Sequence, residues 1–137
     1  MNGRGKSLRF VLGCVLLVGG LAHSAGVLHL YAAKGFPDAN RILLDVWIAE
    51  AQLCGGALFV ASTRTSTPFA FALPGAAFVW SYAVPFLPVL LGRAPAIFWI
   101  APITYLVLSA IAVMRSMVRG TGPASANDLR SRSQRAD

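Results

Sequence analysis

Four long apolar runs separated by short polar turns set the pattern of this chain. They cover about 8–33, 42–64, 69–91 and 96–114. A helix needs about 20 apolar residues to cross a hydrocarbon core of ~30 Å, and each run is near or above that length. Each run is therefore expected to be one membrane-spanning helix. The connection Lys34 to Arg41 (KGFPDANR) holds the turn formers Gly35, Pro37, Asp38 and Asn40. Thr65-Ser66-Thr67-Pro68 joins the second run to the third, with Pro68 suited to a first helical turn, and Gly92-Arg93-Ala94-Pro95 joins the third to the fourth. Pro74, Pro85, Pro88 and Pro102 fall inside runs. Membrane helices tolerate proline where neighbours satisfy the freed carbonyls, so kinks are expected there and strands are not. Ser81, Tyr82, Thr104, Tyr105 and Ser109 are the side chains available for that task.

The fold class that follows is all-α: a polytopic membrane protein, an antiparallel bundle of four transmembrane helices over 1–115. Residues 116–137 are rich in Ser, Gly and Arg, have no apolar period and are expected to form a disordered basic cytoplasmic tail. Ala22-His23-Ser24 loosely resembles a signal-peptide cleavage site, but the first run continues well past the 7–15 residues of a signal core, which favours a retained helix. Too few apolar residues precede Cys14 for a lipoprotein signal.

Composition agrees with a lipid-facing surface. Charged residues make up 12% of the chain and hydrophobic ones 56%, against about 25% charged in soluble proteins. Mean hydropathy is +0.64. The net charge of +7 sits mainly at the two ends, so it bears on topology and lipid headgroups; no stretch offers the basic face that nucleic acid requires. Nine Lys and Arg residues fall on one side of the expected bundle (Arg4, Lys6, Arg9, Arg64, Arg115, Arg119, Arg130, Arg132, Arg135). Three fall on the other (Lys34, Arg41, Arg93). Basic loops stay cytoplasmic, which puts both termini inside the cell at its inner (plasma) membrane. Tyr31, Phe36, Trp47 and Trp99 would form an aromatic belt at the opposite interface. The tail arginines Arg115, Arg119, Arg130, Arg132 and Arg135 are expected to contact anionic headgroups.

Polar residues inside the runs carry what chemistry there is. His23, His29, Asp45, Glu50 and Gln52 form a candidate intramembrane cluster, and such residues usually have a reason to be in a bilayer. In a hairpin turning near Pro37-Asp38, His23 is level with Glu50 and Gln52, and His29 with Asp45, to within about 3 Å at 1.5 Å per residue. Glu50, about 12 Å inside its span, is the deepest carboxylate. A His23/Glu50 pair would either fix register as a structural hydrogen bond or serve as a proton relay or the polar end of a ligand pocket. His23 and His29 point about 120° apart, too far to ligate one metal, and no H-x3-H or H-E-x-x-H spacing exists. No metal or other cofactor is expected.

Gly19, Ala22, His23 and Gly26 form a narrow stripe on the first span, with Gly19 and Gly26 placed for close helix packing. The second span has two stripes, Asp45-Ala49-Gln52-Gly56 and Glu50-Cys54-Ala57-Ala61, so it is expected to sit between two neighbours. Gly19-Gly20 and Gly55-Gly56 read as packing glycines; no phosphate-binding loop follows them. Cys14 and Cys54 have no disulfide or CxxC spacing.

In its length, its glycine-rich first span (GCVLLVGGLAHSAG) and a second span closing on small residues before a basic turn (AQLCGGALFVASTRTSTP), the chain resembles the DoxX-like group of small four-helix bacterial membrane proteins. That resemblance implies a four-span bundle and an accessory role near quinone-linked or thiol redox systems, although no cysteine pair here could relay thiols. The small multidrug transporters share length and span count, but carry their essential glutamate in the first span, where this chain has none. The function expected is that of a non-catalytic accessory or interaction subunit, with a membrane-protein partner or a second copy of itself. The alternative is a proton- or quinone-linked carrier or redox component using His23 and Glu50.

Overall fold

A computed structural model describes residues 3–93 and 96–117, with side chains given over 5–85 and 100–117. The described residues form four helices: α1 (Gly3–Lys34), α2 (Ala39–Ala61), α3 (Pro68–Arg93) and α4 (Ala96–Met117). Three stretches are long and apolar enough to cross a membrane: Gly5–Lys34, Ala39–Ala61 and Ile100–Met117, with hydropathies of 2.0, 1.5 and 1.6. The expected tail beyond Met117, with Arg119, Arg130, Arg132 and Arg135, lies outside the described residues, as does the side chain of Trp99.

The turn chemistry explains where the helices stop. Gly35 has φ +84 and donates its N–H to the Tyr31 carbonyl at 2.8 Å, so a left-handed residue closes α1. Asp38 then caps α2, its carboxylate accepting from the Arg41 N–H at 3.0 Å. At its other end α2 stops at Ala61, short of the expected Arg64. Ser62 and Thr63 turn their hydroxyls onto the Phe59 and Val60 carbonyls (2.6 and 2.7 Å), the local competition that disfavours further helix. Pro68 opens α3, as expected of proline at a first helical position.

Helix α3 remains helical through Pro74. The serine hydroxyls meant for proline-freed carbonyls do something else: Ser81 bonds to the Phe78 carbonyl and Ser109 to that of Leu106, each one turn back.

Helix α2 lies between α1 and α3, α4 packs on α3, and α4 closes more thinly onto α1. Along the α1–α2 seam Gly13 meets Gly56 and Val60, Gly20 meets Leu53, and Tyr31 meets Asp45, so residue numbers rise on one helix as they fall on the other. At the end where α1 begins, buried Arg9 donates to the Ser116 hydroxyl of α4 at 3.2 Å. The core is built from Leu12, Leu16, Phe59 and Val79 with many alanines, among them Ala51, Ala72, Ala76, Ala83 and Ala112. Small residues let helices approach without a large side chain between them, the usual packing of helices in lipid. Large apolar side chains point outward instead: Val18, Leu21, Leu28 and Leu43 are each more than 60% exposed.

Two packing expectations need correction. Gly26 is not on the seam: a Cβ there would meet nothing within 4 Å. The tight contact is Gly13 with Gly56, where a Cβ on Gly56 would come within 2.8 Å of the Gly13 carbonyl oxygen. Nor is the stripe of Glu50, Cys54, Ala57 and Ala61 the close seam with α3. The tight contacts run through Gly55, Leu58 and Phe59, with Gly55 against Gly75, while Glu50 and Ala57 stay exposed.

Candidate functional site

Of the five polar residues expected to cluster in the membrane, four separate into three places and the fifth, His29, stands apart. Asp45 organises the first. Its carboxylate is buried on the seam with α1, accepting from the Tyr31 hydroxyl at 2.6 Å and from Arg41 Nε at 3.0 Å, both on Oδ2. His23 reaches the same residue, Nε2 lying 3.2 Å from the Asp45 carbonyl oxygen and 3.8 Å from Oδ1. A carbonyl only accepts, so Nε2 carries the proton in this arrangement. Arg41 stands one turn before Asp45 with its side chain 56% exposed, so the guanidinium links a buried carboxylate to the helix end. A short O–H···O⁻ bond and a cation together offset the cost of taking the carboxylate out of water. Tyr31, expected in the interface belt, is therefore turned inward, its ring tilted 48° to that of Phe36 at 5.6 Å. The result is a clip that ties α1 to α2.

Glu50 occupies the second place, and the expected His23/Glu50 pair is not formed. His23 is committed to Asp45 on the α1 side, whereas Glu50 is exposed and lines a lateral cavity of about 400 Å3 between α2 and α3. Trp47, Ala51, Pro74, Ala77, Phe78 and Ser81 form the rest of its wall, and Trp47 donates its indole N–H to Ser81 at 3.3 Å. Glu50 is the midpoint of α2, eleven residues from each end, which puts it about 16 Å from either. It has no hydrogen bond or ion pair among the described residues. Level position was the sequence argument for pairing it with His23; azimuth decides against it.

Gln52 marks the third place, near the middle of α2 and facing Gly19 of α1. Gln52 Oε1 and the Tyr82 hydroxyl are buried, and neither has a partner at hydrogen-bond distance among the described residues. Gly19 belongs here: a Cβ on it would stand 3.5 Å from Gln52 Oε1 and 3.6 Å from the Tyr105 hydroxyl. Gly19 thus makes room for polar groups and is not the tightest point of the seam. His29 belongs to none of the three and is exposed on α1. No group of three or more His, Cys, Asp or Glu side chains converges among the described residues, and Cys14 and Cys54 are free thiols.

Sequence reasoning missed Tyr31 and Arg41 as partners of Asp45. Both could have been found: Arg41 is i−4 to Asp45 on one helix, and Tyr31 sits opposite it across the turn. Comparison with known proteins adds no family, since no family model, no curated protein and no solved structure matches this chain.

Proposed function

We propose that the chain is a multi-pass protein of the inner (plasma) membrane, an antiparallel four-helix bundle with both termini in the cytoplasm, acting as a non-catalytic accessory or interaction subunit. The bundle is supported by the opposed numbering along the α1–α2 seam and by Arg9 meeting Ser116 at one end. The orientation is supported by nine basic residues on one side against three on the other. A four-span accessory protein is also what the DoxX-like resemblance implies.

One observation carries the interaction reading: a face of α1 stays open after the four helices have packed. Ala22, Gly26 and His29 are exposed at i, i+4 and i+7, and the space above Gly26 is empty. Lipid gains nothing from small residues, but another helix does, since its backbone can approach closely and hydrogen-bond to the histidine. The occupant is a membrane-protein partner or a second copy.

The cavity beside Glu50 favours a second reading, a proton- or quinone-linked carrier, now resting on Glu50 without His23. A carboxylate at mid-span with no partner among the described residues is a functional-site candidate by default. Two substitutions separate the readings. In native membranes the tagged chain should migrate on a native gel as a complex. Gly26→Leu should release the free bundle with no loss of thermal stability, while Glu50→Gln leaves both complex and cellular phenotype intact. A phenotype lost in Glu50→Gln with the complex retained would overturn the accessory reading in favour of the carrier.

A further inference from the structure

The end of the molecule where α1 begins and α2 ends is rich in basic residues and holds no acidic one among the described residues. Lys6 and Arg64 are exposed there, and neither has an ion-pair partner among the described residues. The acidic residues in the described part, Asp38, Asp45 and Glu50, all lie between the N-cap of α2 and its midpoint, away from this end. Two neighbouring clefts flank the α1–α2 seam at this end. One, of about 250 Å3, is lined by Lys6, Ser7, Phe10 and Thr63. The other, of about 510 Å3, is lined by Leu17, Ala57, Val60 and Ala61 and opens between Arg64 and Thr65.

Both clefts face the same way. On α1, Lys6, Phe10 and Leu17 fall within about 40° of one another at 100° per residue, as do Ala57 and Ala61 on α2, with Arg64 in the turn just beyond its end. Gly13 and Gly56 bring the two backbones together between these rows. The surface is thus one groove, cationic at its mouth and apolar within. Its length matters: Lys6 to Leu17 is eleven residues, about 16 Å of helix, close to half of a ~30 Å hydrocarbon core.

We propose that this groove binds one anionic glycerophospholipid of the surrounding bilayer, its phosphate between Lys6 and Arg64 and one acyl chain laid along Val60, Ala61, Ala57 and Leu17. The inference rests on the membrane reading above. Charge complementarity selects an anionic headgroup, because a zwitterionic one would bring its own cation to a mouth that holds no acidic residue among the described residues. The apolar wall of one leaflet's depth selects a lipid over a free anion, which would use only the mouth.

The test is native mass spectrometry of the full chain in mild detergent, with phosphatidylglycerol or phosphatidylcholine of identical acyl chains. One phosphatidylglycerol should remain bound at an activation that strips phosphatidylcholine. Lys6→Gln with Arg64→Gln should lower the bound fraction at least fivefold, and Lys34→Gln, at the opposite end, should leave it unchanged. Ala57→Trp, which fills the groove but keeps both charges, should lower it comparably, with Ala57→Leu as a smaller plug should the tryptophan variant not fold. Equal retention of the two lipids, or retention that survives the double substitution or the folded plug, would overturn the proposal. So would a disulfide-linked dimer through Ala57→Cys in membranes, which would make a second copy the occupant. Recovery of the chain in the aqueous supernatant without detergent is a separate result, against the membrane reading itself.

Discussion

Gly56→Leu is expected to part α1 from α2 and to lower the midpoint of thermal unfolding in detergent by on the order of 10 °C, while Gly26→Leu does not lower it. A Cβ on Gly56 would lie 2.8 Å from the Gly13 carbonyl oxygen and 2.9 Å from the Leu17 amide nitrogen. Both are backbone atoms, so no rotamer change relieves the contact and the helices themselves must separate. Overpacking a close contact costs about 1–3 kcal/mol, occasionally more. The helix-propensity gain of replacing glycine, up to ~1 kcal/mol, offsets only part of it. Gly26 tests the same chemistry without the contact, because nothing lies within 4 Å of its Cβ position. Equal midpoints for the two variants, read by circular dichroism or by a thiol-reactive melting assay, would mean that the seam is elsewhere.

The two carboxylates of α2 should respond in opposite ways to removal. Asp45→Ala is expected to cost about 2 kcal/mol, near the upper end for interhelical polar contacts in membrane proteins. It leaves the Tyr31 hydroxyl, on a residue only 8% exposed, without its acceptor. Arg41 can return to water and adds little to the loss, being more than half exposed. Asp45→Asn keeps an acceptor for Tyr31 and should recover most of the stability. Glu50→Ala should cost nothing measurable, since that carboxylate holds no partner among the described residues. Denaturation midpoints in one detergent rank the three variants. A Glu50→Ala loss as large as that of Asp45→Ala would contradict the division of roles between them.

How much of this was legible in the sequence follows from what one-dimensional patterns encode. Length and hydropathy placed the four helices within a few residues, because a helix that faces lipid must be apolar along its whole length. Turn chemistry was equally readable at Gly35, Asp38 and Pro68. The first stripe of α2, Asp45 to Gly56, does face α1. The second did not survive, because small residues alone do not say which of several apolar faces a neighbour selects, and α3 selected Gly55, Leu58 and Phe59. Depth along the hairpin was nearly right, yet depth without azimuth paired His23 with Glu50 where the fold pairs it with Asp45. Tyr31 escaped notice for a related reason: an aromatic near a helix end serves an interface belt or an inward hydrogen bond equally well, and only the neighbouring carboxylate distinguishes them.

The central claim is that the chain crosses a membrane with its termini on one side and the α1–α2 turn on the other. Cysteine accessibility in intact cells tests it most directly. With Cys14 and Cys54 replaced by Ala, single cysteines at Lys34 and at Met117 are challenged with a membrane-impermeant thiol reagent before and after permeabilisation. The account predicts labelling at Lys34 in intact cells and at Met117 only once the membrane is opened. Labelling of both positions in intact cells, or of Met117 alone, would contradict it.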